Sequence, residues 1–214
     1  MFIKLLRHFR KLKKEKLEES QLQVVLNYLS ERPDLNVIDL GFNIGEIYRR
    51  IRQISDHSFY YGFEIQEDLV LKAKEIDDEK LVIINAAATD RDGEINFYEP
   101  KSWSKNYKGG ATIMKDKNGL SEIPINVPSI NFSNWLEKNS QNGEKYFIKI
   151  DIEGAEYDLL ENLINSNALQ YIQAAAIEWH CSKLGPQNEA KYLSRKNLIK
   201  LALWENGIDY FEWF

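Results

Sequence analysis

Downstream of Pro33 the chain alternates between short apolar runs and amphipathic stretches, and this rhythm limits the folds open to it. Asn36 to Leu40 reads as a strand, residues 44–54 as a helix, Phe59 to Phe63 as a strand and Gln66 to Ile76 as a helix. Leu81 to Ala88 reads as a third strand. A βαβαβ order with short connections implies a parallel sheet with helices on its faces. The rhythm breaks between Thr89 and Asn131, where Asp92-Gly93 marks a turn and Glu94 to Tyr98 reads as a short strand. Residues 99–122 are polar, with Gly109-Gly110, Lys117-Asn118-Gly119 and the aromatics Trp103 and Tyr107; Ile123 to Val127 reads as another short strand. So long an excursion in a compact domain is either a functional loop or a surface insertion. The alternation then resumes with a helix at Phe132–Asn139, a strand at Tyr146–Ile150 and a helix at Ala155–Ile164. A strand at Ile172–Trp179, a helix at Lys191–Glu205 and a strand at Asp209–Phe214 complete it. The expected fold class is α/β, a mostly parallel central sheet with helices on both faces, spanning residues 33–214.

Residues 1–32 form a separate helical segment. Leu17, Leu22, Val25, Leu26 and Leu29 fall near one face of a helix over residues 2–31. Its first half is basic, with Lys4, Arg7, Arg10, Lys11, Lys13, Lys14 and Lys16. That half suits an anionic membrane surface or an acidic partner, but a solvated helical arm covering the domain is the favoured reading. The apolar start at Met1–Leu6 is too short for a signal peptide or a transmembrane helix. With 214 residues and a net charge of -5, nothing global favours a nucleic-acid partner. Cys181 is the single cysteine, so no internal disulfide forms, and a reducing cytoplasm is the expected location.

The first strand runs into Asp39-Leu40-Gly41-Phe42-Asn43-Ile44-Gly45. Glycines there let the backbone turn tightly and approach a ligand, and the following helix presents free N–H groups. The G-x-G-x-x-G spacing of dinucleotide folds is absent, because three residues separate Gly41 from Gly45 and Asn43 takes the middle place. Asp39 would repel a pyrophosphate and suit a cation. Glu64 ends the second strand 19 residues after Gly45, where doubly wound folds place a carboxylate for ribose hydroxyls. Asn85-Ala86-Ala87-Ala88 closes the third strand with small side chains that leave room for a flat ring or pack tightly on a helix.

The strongest local signal is Lys149-Ile150-Asp151-Ile152-Glu153-Gly154-Ala155-Glu156, at the carboxyl end of the fourth main strand. Ligands bind outside such strand ends. Glu153 and Glu156 are explained by helix capping. Asp151 at the strand tip is not, and Lys149 inside a buried strand needs a carboxylate partner. The fifth strand ends in Glu178-Trp179-His180, with Glu178 and His180 on one side and near Asp151. Asp151, Glu178 and His180 suit general-base chemistry. They are also metal-ligating types, and a divalent metal bound by them is the less favoured alternative.

Taken together, these residues resemble the FkbM-type methyltransferases. The resemblance rests on the turn at Asp39–Gly45, Glu64, Asn85–Ala88, the block at Lys149–Glu156, and Glu178 with His180, and it covers about residues 36–180. It implies a seven-stranded Rossmann-like class I methyltransferase fold, S-adenosylmethionine as methyl donor, and O-methylation of a sugar, glycan or small natural product. On that basis Asp39, Gly41, Asn43, Gly45, Glu64, Asn85, Ala86 and Asp151 are expected to bind the cofactor. Asp151, Glu178 and His180 are expected to face the acceptor, with His180 the first candidate base and Asp151 the second. The 99–122 loop would close over the acceptor. Phe42 departs from the family's frequent alanine, and the chain leaves little room for a last antiparallel strand. A nucleotide-using dehydrogenase or epimerase, and a binding protein that kept the fold without the chemistry, are the rival readings.

Overall fold

The computed structural model describes residues 2–56, 58–101, 109–115, 117 and 119–213, with side chains of the first helix from Leu12 onward except residue 14. Trp103, Tyr107 and Asn118 lie outside the described residues. Helix α1 (Phe2–Ser30) leads into β1 (Asn36–Leu40), α2 (Glu46–Arg52), β2 (Tyr60–Phe63), α3 (Glu67–Ala73) and β3 (Leu81–Ile84). Then come β4 (Ala87–Thr89), β5 (Gly93–Phe97), β6 (Ile125–Asn131), α4 (Phe132–Asn139), β7 (Tyr146–Ile150) and α5 (Glu156–Asn165). The chain ends with β8 (Ile172–Glu178), α6 (Glu189–Glu205) and β9 (Asp209–Trp213), with 3₁₀ turns at Ala168–Tyr171 and Cys181–Leu184.

Six strands form one sheet in the order β3-β2-β1-β7-β8-β9, and every pairing in it is parallel. The order reverses between β1 and β7, which opens a crevice outside their carboxyl ends. The central strand β7 is buried along its whole length, as expected of a parallel strand covered on both faces. Strand alternation divides the core in two. Val37, Phe147, Ala174 and Ala176 face Leu22, Val25, Leu26 and Leu29 of α1 together with α2 and α3. Ile38, Leu40, Ile148, Ile150, Ala175 and Ile177 face α4, α5 and α6.

Several expectations need correction. The third strand is not continuous to Ala88: it stops at Ile84, and Ala87–Thr89 belongs to a second sheet of order β4-β6-β5. Asn85 makes the break, because its Nδ2 donates to the carbonyls of Glu64 (2.9 Å) and Ile65 (3.0 Å). Strand β6 runs past Pro128, although proline donates nothing to a ladder. Its pairing with β4 begins only at Ser129, so Pro128 faces no partner on that side. The central sheet has six strands among the described residues rather than seven, and the excursion contributes to a separate sheet. In α1, Leu17 is 57% exposed while Leu22, Val25, Leu26 and Leu29 are buried, so among the described side chains the second half of the helix is the part that packs on the domain. Among the described residues, no helix is long and apolar enough to cross a membrane.

Candidate active site

The turn after β1 is built around close contacts. Gly41 has φ +87°, and a Cβ on it would lie 2.1 Å from the carbonyl oxygen of Asp151. No side chain fits there, so the turn rests directly on the end of β7. Phe42 points under the turn, 2% exposed, against Tyr48 and Tyr60. Its ring fills the space that Cβ atoms on Gly45 and Gly62 would need, at 2.6 and 2.4 Å. Phe42 is therefore accommodated by two glycines beside it. The backbone N–H groups of Gly41 and Phe42 donate to the Phe63 carbonyl, that of Asn43 to Glu64 Oε2 and that of Gly45 to the Phe42 carbonyl. The turn thus spends much of its donor capacity on itself.

Asp39 lies behind this turn, 1% exposed. Tyr60 Oη donates to its Oδ2 at 2.8 Å, and Lys149 Nζ stands 3.0 Å from its Oδ1. Lys149 also donates to the Gly41 carbonyl at 3.0 Å and lies 3.8 Å from Asp151 Oδ2. Burial opposes its charge, but Asp39 and Asp151 outweigh burial and hold its pKa above the ordinary lysine value. The expected partnership of Lys149 with a site carboxylate is present. Asp39 itself serves as a buried counter-ion that ties β1 to β7, not as part of the cavity wall.

A cavity of about 510 Å³ opens at the switch point. Its walls include Gly41 to Ile44, Phe63 to Gln66, Ala86 to Ala88, Gly109 to Ile113, Lys149 and Asp151 to Glu153. Of the residues expected to bind a cofactor, Gly41, Asn43, Glu64, Ala86 and Asp151 line it. Asp39, Gly45 and Asn85 are not among the lining residues; Gly45 shapes the turn and Asn85 holds the backbone after β2. Glu64 is 7% exposed and accepts from the backbone N–H groups of Asn43, Ile65 and Gln66 at 2.8–2.9 Å. Burial raises its pKa against those three bonds. A carboxylate offers about four acceptor positions, so one remains for a ligand hydroxyl.

The fourth and fifth strands deliver a dense ionic cluster. His180 is 1% exposed, and its Nδ1 lies 3.2 Å from Glu156 Oε1. Its Nε2 is 3.4 Å from Glu178 Oε1, 3.5 Å from Glu153 Oε2 and 3.7 Å from Asp151 Oδ1. Burial disfavours the imidazolium, but Glu156, Glu178 and Glu153 outweigh it and hold the pKa up to about 9. Burial pushes Asp151 up to about 6 against the pull of Lys149. Glu178 is held low because His180 and Lys183 outweigh burial. His180 and Glu178 are not among the cavity-lining residues. Asp151, with about a third of its side chain exposed, is the member of the expected triad that reaches the cavity.

Residues 39–195 match the family model of the methyltransferase FkbM domain. The chain belongs to the FkbM methyltransferase family. Among curated proteins it is similar to the 2-O-methyltransferase NoeI of Sinorhizobium fredii (strain NBRC 101917 / NGR234), 26% identical over 149 residues. That alignment covers 62% of this chain and 58% of NoeI, so the chain spans little more than half of the curated relative's length. Among solved structures it is similar to the plantazolicin methyltransferase BpumL in complex with SAH, at 13% identity and a TM-score of 0.36, over 92% of this chain and 65% of that one. A second BpumL structure, with a monoazolic desmethylPZN analog and SAH, matches at 12% identity and a TM-score of 0.35, over 94% and 64%.

In this FkbM-family chain, the residues that sequence reasoning missed are those that act through long-range contacts. Lys117 donates to Glu153 Oε2 at 2.5 Å and to the Gly110 carbonyl at 2.7 Å, pinning the excursion against the cavity. Glu156 is fully buried and accepts from the backbone N–H groups of Gly154 and His180. Capping was an incomplete account of it. The available signal was its position at the start of an amphipathic helix, on the same face as Leu159, Leu160 and Leu163.

Proposed function

We propose that the chain is an S-adenosylmethionine-dependent O-methyltransferase whose acceptor is a hydroxyl on a sugar, glycan or small natural product. The observation that carries the reading is the cavity outside β1, β2 and β7, with Glu64 at one side and Asp151 at the other. Its volume of about 510 Å³ suits a nucleoside-sized ligand with room for part of an acceptor. Membership of a methyltransferase family and similarity to a 2-O-methyltransferase support the same reaction class.

The residues present fit the cofactor. Glu64 keeps an acceptor position for a ribose hydroxyl, Ala86 to Ala88 leave a shallow wall for a flat ring, and the Gly41–Asn43 backbone borders the methionine part. S-adenosylmethionine supplies an electrophilic methyl group on a sulfonium centre. The protein's tasks are alignment of the acceptor oxygen and exclusion of water. Gly109 to Ile113, held by Lys117, close one side of the cavity. Asp151 accepts the hydrogen bond of the attacking hydroxyl and takes its proton, in place of the buried His180. A positioned base of this kind contributes about 10²–10⁴-fold.

The test is transfer of a labelled methyl group from S-adenosylmethionine to a panel of oligosaccharides and hydroxylated natural products. Product mass should rise by one methyl group, on oxygen. Asp151→Asn should lower turnover by about 10²-fold or more while retaining S-adenosylhomocysteine binding. Undiminished turnover in that variant would remove Asp151 from the role.

A further inference from the structure

We propose that Asp151 Oδ1, Glu178 Oε1 and His180 Nε2 form a divalent-metal site at the edge of the cavity, with Mn²⁺ or Mg²⁺ as the ion. Whether the ion binds is independent of the methyltransferase reading; only its use on the acceptor rests on that reading. The three ligand atoms come from the ends of the adjacent strands β7 and β8, where Ile150 is in register with Ile177. They all lie within 4.8 Å of one another.

A cluster of carboxylates alone would not carry this. The second observation is His180 Nε2: the side chain is only 1% exposed, and this buried nitrogen has no hydrogen-bond partner among the described residues. It points among Glu178 Oε1 at 3.4 Å, Glu153 Oε2 at 3.5 Å and Asp151 Oδ1 at 3.7 Å. Ligand atoms about 2.1 Å from one ion sit roughly 3–4 Å apart, depending on the angle between them. The two spacings from His180 Nε2 to Glu178 and Asp151, 3.4 and 3.7 Å, are in that range and long for direct hydrogen bonds.

The other ring nitrogen is arranged as metal-binding histidines require. Glu156 Oε1 lies 3.2 Å from His180 Nδ1, and Glu156 is itself fixed by the backbone N–H groups of Gly154 at 2.8 Å and His180 at 2.9 Å. A buried carboxylate on Nδ1 sets the ring orientation and leaves Nε2 as the ligand atom. Glu153 is not counted as a ligand, because Lys117 and Lys183 hold its Oε2 at 2.5 and 3.1 Å. Lys183 also stands 4.0 Å from Glu178 Oε1, on a side chain 45% exposed that can move outward when an ion enters. One imidazole with two carboxylates suits manganese or magnesium better than a thiolate-seeking ion. Asp151 lines the cavity, so the ion's remaining positions would face the acceptor. A hydroxyl held there would be oriented and would give its proton more readily to Asp151 Oδ2, the carboxylate oxygen not used as a ligand.

The test uses the full chain stripped of metal. MnCl₂ is titrated in while free Mn²⁺ is followed by electron paramagnetic resonance, with calorimetry alongside. One bound ion per chain is expected. Glu178→Gln, isosteric and at a partly exposed position, should weaken binding by at least about 10-fold, and Glu156→Gln by about 10–100-fold. Circular dichroism checks that both variants fold. On the wild-type chain alone, Mn²⁺ should broaden the ring ¹⁵N signals of His180 beyond detection. No binding of Mn²⁺, Mg²⁺ or Ca²⁺ to the wild type, or an affinity untouched by Glu178→Gln, overturns the site. S-adenosylhomocysteine is titrated into the same metal-free protein. Its binding without any metal binding refutes the metal site alone; metal binding without it refutes the methyltransferase reading alone.

Discussion

Replacing Lys149 by methionine should expose how much of the fold depends on one buried charge pair. The substitution keeps the length of the side chain in a strand that is buried throughout. It removes the ammonium 3.0 Å from Asp39 Oδ1 and leaves that carboxylate 1% exposed, with Tyr60 as its one side-chain hydrogen-bond donor among the described residues. Breaking a buried pair by deleting one partner costs about 3–5 kcal/mol. For a chain of this size, each kcal/mol lowers the melting temperature by roughly 2–4 °C, so a fall of about 6–20 °C is expected. Asp39→Asn alone should also destabilise, since Lys149 then loses its nearest carboxylate. The double variant should be markedly more stable than the sum of the two losses implies, because no unpaired charge remains between Asp39 and Lys149. Urea unfolding followed by circular dichroism gives all four corners of the cycle. If Lys149→Met costs under about 1 kcal/mol, or if the two losses simply add, the pair does not hold β1 to β7.

Other perturbations bear on separate parts of the account. Gly41→Ala puts a Cβ 2.1 Å from the Asp151 carbonyl at a φ of +87°, so a loss of at least about 1–3 kcal/mol is expected from backbone strain alone, read as a lower urea midpoint. Lys117→Ala removes the tie between the Gly110 carbonyl and Glu153, and should raise the rate of limited proteolysis within residues 99–122 and the KM for the acceptor. Burial pushes Tyr146 up to about 12, so its contribution to stability is complete below pH 10 and is lost as the pH rises toward 12. Tyr146→Phe should flatten that alkaline decline in melting temperature; a decline of unchanged steepness would show that another group drives it.

Most of the architecture was legible because parallel strands covered on both faces are continuous apolar runs. Tyr146–Ile150 coincides with its expected span for that reason, Phe132–Asn139 coincides as an amphipathic helix, and the block beginning at Lys149 marked the correct strand end. The errors arise where a side chain acts on distant backbone. Asn85 lies inside the expected third strand, and only its bonds to Glu64 and Ile65 show that the chain leaves the sheet there. Pro128 ended an expected strand, and only the late start of the β4 pairing explains why the strand continues. Within the site, the sequence ordered the carboxylates correctly along the chain but could not rank their depth. Asp39 and His180 proved fully buried, while Asp151 reaches the cavity. Depth depends on which groups pack around a residue, and the partners that decide it are distant in sequence: Tyr60 lies 21 residues from Asp39 and Glu156 lies 24 from His180.

Titration of S-adenosylhomocysteine into the purified chain tests the central claim most directly. The account predicts one binding site, and an affinity reduced by about 10–100-fold in Glu64→Gln, the loss expected when a charged acceptor of a ligand hydroxyl becomes neutral. No measurable binding, or equal affinity in the wild type and Glu64→Gln, would contradict it.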